Sequence, residues 1–124
     1  MPLALKDKAA AAVTYNALKT VNDTTTYIGA AHSDLSKDQV AVTSVSPKRT
    51  AKSFGNRRSS VNVVRTTVIS TPDNLTERKD AKIEIVSSIP VGMPVAEQEE
   101  LFARAFALTL QTWKDIAVVG KTQL

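Results

Sequence analysis

The hydrophobic period of this chain changes once, near residue 90, and that change constrains the fold more than any other feature. Before it, apolar and polar residues alternate in runs of strand length. In "SSVNVVRTT", Val61 and Val63 fall on one side, and Ser60, Asn62, Val64 and Thr66 on the other. In "RKDAKIEIVSSI", residues 78–89, Ala81, Ile83 and Ile85 alternate with Lys82 and Glu84. After it, in "PVAEQEELFARAFALTLQTW", apolar residues stand at 101, 102, 105, 106, 108 and 113, which is helical spacing. Strands first and helices afterwards give an α+β chain: an antiparallel sheet with helices on one face.

The remaining segments fit that order. "PLALKD" and "AAVTYNALK" read as a hairpin around an Ala-rich turn, and "TVND" is turn chemistry. "TTTYIGA", residues 24–30, has strand composition. "QVAVTSVS", residues 39–46, is a strand closed by Pro47. Val40 and Val42 suit its core side, but Val45 breaks the alternation, so a bulge or a different phase is open there. Thr43 is assigned to the polar side. "TPDNLTE" is a loop. In the helical part, Pro94 suits a first-turn position, Glu97, Glu99 and Glu100 lie where the helix dipole favours anions, and Glu100 precedes Arg104 by four residues. A short second helix, "WKDIAVVG", ends at Gly120. The whole reads as a single domain, 1–90 mainly β and 94–120 helical.

About two helices are thin cover for five or six strands. Leu101, Phe102, Ala105, Phe106, Leu108 and Leu110 wrap more than one stripe, which implies more than one neighbour for the helix. A second copy of the chain supplies the missing cover in this reading, with Leu101, Phe102, Ala105, Phe106 and Trp113 assigned to the interface; Phe102, Phe106 and Trp113 read as core or interface residues rather than a cofactor box.

Charge is distributed unevenly. Residues 39–72 contain no Asp or Glu but hold Lys48, Arg49, Lys52, Arg57, Arg58 and Arg65, in a chain of formal net charge +4. A charge run is ordinarily a solvated surface. A stretch of 34 residues without an acid favours nucleic acid as partner. Other functions find little support. There is no cysteine, so disulfides and thiolate metal sites are excluded. No apolar run approaches the ~18 residues of a membrane span. "MPLALKDKAAAAV" places Asp7 and two lysines among its apolar residues, which is poor signal-peptide chemistry. His32 stands alone in a loop and reads as a surface histidine. Ser59 and Ser60 lack a nucleophile elbow. Asp73 and Glu77 fall short of the roughly six to eight oxygens that calcium takes. With no acid–base constellation, Gly-rich phosphate loop or ligand cluster, neither enzyme, metal nor cofactor is expected.

Three stretches carry a family resemblance: "NRRSSVNVV", "AKIEIVSSIP" and "EQEELFARAFALTL". In length, order and charge placement the chain resembles the coat proteins of single-stranded RNA bacteriophages. The first stretch resembles that family's basic turn entering a strand, the second its last strand, the third its acidic-started helix. The resemblance implies an N-terminal hairpin, a main antiparallel sheet and two C-terminal helices in an interlocked homodimer. Sheets would join edge to edge, and helices would cross over the partner. Dimers would build an icosahedral shell around genomic RNA, in a virion assembled in the bacterial cytoplasm. The sheet face away from the helices would bind RNA, in some members one hairpin whose capture represses translation. Carried onto this chain, that face holds Thr43, Ser60, Asn62, Lys82 and Glu84, with Lys48, Arg49, Arg57 and Arg58 reaching phosphates at its rim. The loop of Pro72, Asp73, Asn74, Leu75 and Thr76 would meet its copies between dimers. One departure stands out. Family members often expose an aromatic on the last strand for base stacking, and here that position is Asp80. Two readings outside the family compete: a non-viral dimeric nucleic-acid-binding α+β protein, and a structural oligomer without RNA.

Overall fold

The computed structural model describes residues 2–123 and divides into two compact units, Met1–Val91 and Gly92–Leu124. The first is a six-stranded antiparallel sheet whose strands follow one another in chain order: β1 (Leu3–Lys6), β2 (Ala12–Val21), β3 (Thr24–Ile28), β4 (Asp38–Val45), β5 (Asn56–Ser70) and β6 (Thr76–Pro90). The second holds α1 (Val95–Ala105), α2 (Leu110–Lys114) and a π-helical turn, Asp115–Val119. The expected class is met: a β-hairpin at the start, an antiparallel sheet, helices last.

Each turn has an identifiable cause. Asp7 builds the first: its Oδ1 accepts from the Ala9 and Ala11 N–H groups at 2.9 and 3.0 Å, while Ala10 takes φ 61°. Asn22, a residue that tolerates the left-handed region, turns β2 into β3 at φ 53°. The loop between β5 and β6 is pinned by Thr71, whose N–H donates to the Leu75 carbonyl at 2.8 Å and whose hydroxyl bonds Asp73. Asn74 sits at its left-handed position, φ 64°.

β5 and β6 are each 15 residues long and pair without interruption from Asn56↔Pro90 to Ser70↔Thr76. Both outrun the segments expected from alternation, because a continuous ladder satisfies backbone groups regardless of side-chain pattern. The irregularity considered for residues 39–46 does not occur. β4 pairs with β5 in one register from Asp38↔Arg65 to Val45↔Arg58, so Val45 simply shares the polar side with Thr43. The register shift lies instead between Ala17 and Lys19 of β2.

The core of the sheet unit is small. Val40 is 1% exposed, and Tyr15 and Asp38 are buried beside it. Tyr15 donates its hydroxyl proton to Asp38 Oδ1 at 2.8 Å, and Arg65 Nε lies 3.8 Å from the same oxygen. Gly29 is required here: a Cβ would stand 2.5 Å from Asp38 Oδ2 and 3.0 Å from Tyr15 Cε1. His32, expected at the surface, is half-buried, and its Nδ1 accepts from the Asp38 N–H at 3.3 Å.

The helical unit departs from expectation at one point. The pattern predicts one helix through Trp113, but α1 stops at Ala105 and α2 starts at Leu110. Thr109 causes the restart: its Oγ1 accepts from the Thr112 N–H at 3.2 Å, an N-cap that competes with continuing the helix. Pro94 takes the N-cap place just before α1, and the Glu100–Arg104 pair forms at 2.7 Å. Gly120, at φ 82°, ends the π-helical turn.

Candidate nucleic-acid interface

Side chains alternate across a strand, so the register of β4, β5 and β6 assigns each residue to a face. The first face carries Gln39, Ala41, Thr43 and Val45 of β4; Arg58, Ser60, Asn62, Val64 and Thr66 of β5; and Asp80, Lys82, Glu84, Val86 and Ser88 of β6. The second carries Val40 and Val42; Val61 and Val63; and Ala81, Ile83 and Ile85. The first face is the more polar along the middle of the sheet; the second is apolar there and carries Asp38, Arg65, Ser44, Ser59 and Arg57 toward its ends.

Thr43, Ser60, Asn62, Lys82 and Glu84 thus come together on one face. Thr43 pairs directly with Ser60, and Asn62 pairs with Ala41 on one side and Glu84 on the other. Thr43 also shares a hydroxyl hydrogen bond with Thr24 at 2.9 Å, which fixes its side chain. A shallow depression of about 160 Å³ opens among Thr43, Val45, Arg58, Ser59, Ser60, Glu84 and Val86. Val45 and Val86 line it beside the hydroxyls of Thr43 and Ser60, and Arg58 and Glu84 bring opposite charges to it. Lys82 Nζ stands 3.8 Å from Glu84 Oε2, both well exposed, so this pair is worth little and leaves the lysine available to other anions. Asn62 Oδ1 is buried with no partner among the described residues.

Arg57 and Arg58, both expected at the rim of the polar face, project to different faces. Adjacent strand residues project to opposite faces, so Arg58 joins the polar face and Arg57 the other. Arg57 Nη1 donates to Ser44 Oγ at 3.3 Å there.

Asp80, the position without an aromatic, is held in place. Thr66 Oγ1 donates to its Oδ1 at 2.6 Å, and Lys37 Nζ lies 3.4 Å from Oδ2. The Thr66 hydrogen bond, with Lys37 behind it, lowers the Asp80 pKa from its ordinary value. Arg78 reaches the Leu35 carbonyl at 3.4 Å. The Asp80 end of the polar face is therefore internally compensated, and free positive charge concentrates toward Arg58.

Lys48 and Arg49 lie in the connection from β4 to β5, both exposed. Sequence reasoning passed over the aromatic beside them. Arg49 Cζ sits 4.9 Å from the centroid of the Phe54 ring. The available signal was a lone aromatic within an acid-free basic loop.

Leu101, Phe102, Ala105, Phe106 and Trp113 are all exposed, and the Phe102 and Phe106 rings are parallel with centroids 6.3 Å apart. In the β5–β6 loop, Pro72, Asp73, Asn74 and Leu75 are exposed around the Asp73 anchor; Thr76 already belongs to β6.

No protein-family model matches this chain, and a search of curated proteins finds no match. Solved structures do match. A chain from the virus-like particle of Beihai levi-like virus 32 superposes with TM-score 0.76 at 16% identity, over 90% of this chain and 88% of that one. One from the virus-like particle of Wenzhou levi-like virus 4 gives 0.72 at 21% identity, over 87% and 77%. One from the virus-like particle of bacteriophage AVE019 gives 0.74 at 13% identity, over 99% and 97%. At these identities the likeness is one of fold, and it spans 87–99% of this chain and 77–97% of the matched ones.

Proposed function

We propose that this chain, which shares its fold with chains of levi-like virus-like particles, is a capsid protein. It dimerises, and the dimers close into an icosahedral shell around single-stranded RNA in a virion assembled in a bacterial host. The observation that carries this reading is the fold match over almost the full chain. Surface physics supports the oligomer. Val61, Ile83 and Ile85 of the sheet and Leu101, Phe102 and Phe106 of the helical unit are exposed, and water disfavours such apolar side chains.

The sheet suggests where a second copy joins. Along the cross-strand row Val40, Val63, Ile83, exposure rises from 1% through a half-buried Val63 to 67%. β6 is one of the two edge strands, and its outer backbone groups have no ladder partner among the described residues. Pairing β6 with β6 of a second copy would continue the sheet, and the partner's helices would cover the row. The polar face would then line the interior, with RNA held mainly through phosphate contacts. The same face offers a seat for one RNA hairpin, as a translational repressor needs.

Negative-stain microscopy of the protein expressed alone tests the shell, and nuclease-resistant RNA within the particles tests packaging. A nucleic-acid-binding dimer that never assembles is the outcome that refutes it. Salt titration of RNA binding tests the interface. Arg58→Ala should flatten the log–log salt slope by about 1 and weaken unrelated RNAs alike. Arg57→Ala should change it less, since Arg57 leaves the polar face.

A further inference from the structure

We propose that Phe54, together with the Arg49 guanidinium stacked on it, is a platform for an unpaired base of single-stranded RNA. The inference rests on the RNA-binding reading above and adds to it a contact outside the sheet face. A single exposed phenylalanine is unremarkable by itself. This one combines three properties. It is 57% exposed with Arg49 already in place. It sits among Lys48, Arg49 and Lys52, inside a stretch with no acid from residue 39 to 72. It belongs to a loop that is built rather than loose.

The loop's construction is explicit. The Thr50 N–H donates to the Ser53 carbonyl at 2.8 Å, and the Gly55 N–H to Ser53 Oγ at 3.0 Å. The Gly55 carbonyl accepts from the Val91 N–H at 2.9 Å, which ties the loop's end to the end of β6. Gly55 takes φ +81°, and a Cβ there would collide with the Lys48 carbonyl oxygen. Only glycine lets the loop close this tightly, and closure brings Gly55, the residue after Phe54, against the backbone of Lys48. A platform already ordered loses little freedom when a base lands on it.

Proteins that hold single-stranded nucleic acid combine positive charge along the backbone with aromatic rings on which bases stack, Arg adding a cation–π share. Every base has a π face, so such a platform is indifferent to sequence. It requires only that the base be unpaired. Among the described residues of β4, β5 and β6 the polar face carries no aromatic, and Asp80 on it is engaged by Thr66 and Lys37.

The test uses the full-length protein with oligo(rU), oligo(rA) and a fully paired RNA duplex. Phe54→Trp is compared with the wild type, whose fluorescence reports Trp113 alone. Both single strands should quench the new tryptophan, the duplex should not, and the wild type should change little. Phe54→Leu should weaken single-strand binding about tenfold, equivalent to roughly 1.4 kcal/mol, with the salt slope unchanged. Phe54→Tyr should retain binding. RNA bound with wild-type affinity by Phe54→Leu, or bound without quenching in Phe54→Trp, overturns the platform and leaves the RNA-binding reading standing. A wild type that binds none of the three RNAs overturns both.

Discussion

The Tyr15–Asp38–Val40 patch and the β5–β6 ribbon belong to one sheet but differ in how much of their chemistry a single chain completes. At the patch, Val40 is sealed, the Asp38 carboxylate takes the Tyr15 proton donor, and Gly29 admits both only because it has no Cβ. On the ribbon β5 and β6 pair with each other along their whole length, yet Ile83, Ile85 and Val61 on its apolar face remain exposed. Hydrogen bonding thus gives the ribbon its shape, while under the proposed dimer its burial would be completed by a second copy. In that proposal the patch is a finished piece of core and the ribbon half of one. Substitutions should behave differently in the two places: local damage at the patch, loss of assembly where burial depends on another copy.

The largest effect is expected in the helical unit, whose apolar residues share the ribbon's incompleteness. Phe106→Asp would place a charge in the proposed dimer interface, at a cost on the order of several kcal/mol. Light scattering of the purified variant should find no soluble dimer. A well-folded monomer would show instead that the ribbon and helices need no partner.

Deleting Asp73 to Thr76 should act one level higher. Ile69 and Glu77 already face each other, so the hairpin can close with a shorter loop and the ribbon survives. Dimers should remain, while closed shells disappear from micrographs. Normal particles from this deletion would remove the loop from the contacts between dimers. The exposed Leu75 would give the proposed contacts an apolar element.

At the patch, Gly29→Ala should destabilise the dimer by about 1–3 kcal/mol, the usual range for overpacking. Tyr15→Phe should cost about 1–3 kcal/mol, because it leaves the buried Asp38 oxygen without its donor. Denaturant midpoints measure both. Assembly at neutral pH should persist in each, which is the contrast with Phe106→Asp. An unchanged midpoint in Gly29→Ala would mean that the patch is not close-packed.

Legibility in the sequence followed the same division. Alternation in residues 59–67 and 78–86 identified the two faces of the ribbon, because a period of two is visible wherever one face excludes water. The faces of Thr43, Ser60, Asn62, Lys82 and Glu84 could be read for that reason. The patch was invisible: Tyr15, Gly29, His32 and Asp38 lie on different elements, and only the register brings them together. The break at Thr109 was hidden because the apolar spacing continues across it. Phe54 was missed because an isolated aromatic in a loop has no period. Charge runs were legible as composition, but the split between Arg57 and Arg58 depends on where β5 begins, which composition does not state.

The smallest effects come from pH, and they separate the two regions by sign. Burial first, then the hydrogen bond to Asp38, raises the Tyr15 pKa above its ordinary value. The native state therefore favours the neutral phenol. Its stabilisation is complete below the ordinary tyrosine range near pH ~10 and is lost as pH rises through the raised native value. Asp80 and Asp73 shift the other way, the first through Thr66 and the second through Thr71. Their contribution is present above the ordinary carboxylate range and is lost as pH falls through their lowered native values. Both carboxylates are exposed and screened by water, so the acid effect should be slight and should weaken further with salt. Denaturant midpoints of the dimer taken from neutral to alkaline pH, wild type beside Tyr15→Phe, isolate the first term. The wild type should lose its advantage over Tyr15→Phe as pH rises past the ordinary tyrosine range, and the two curves should converge. Curves that stay parallel would mean that Tyr15 titrates as a solvated phenol and that the patch is not the dry, completed core which distinguishes it from the ribbon.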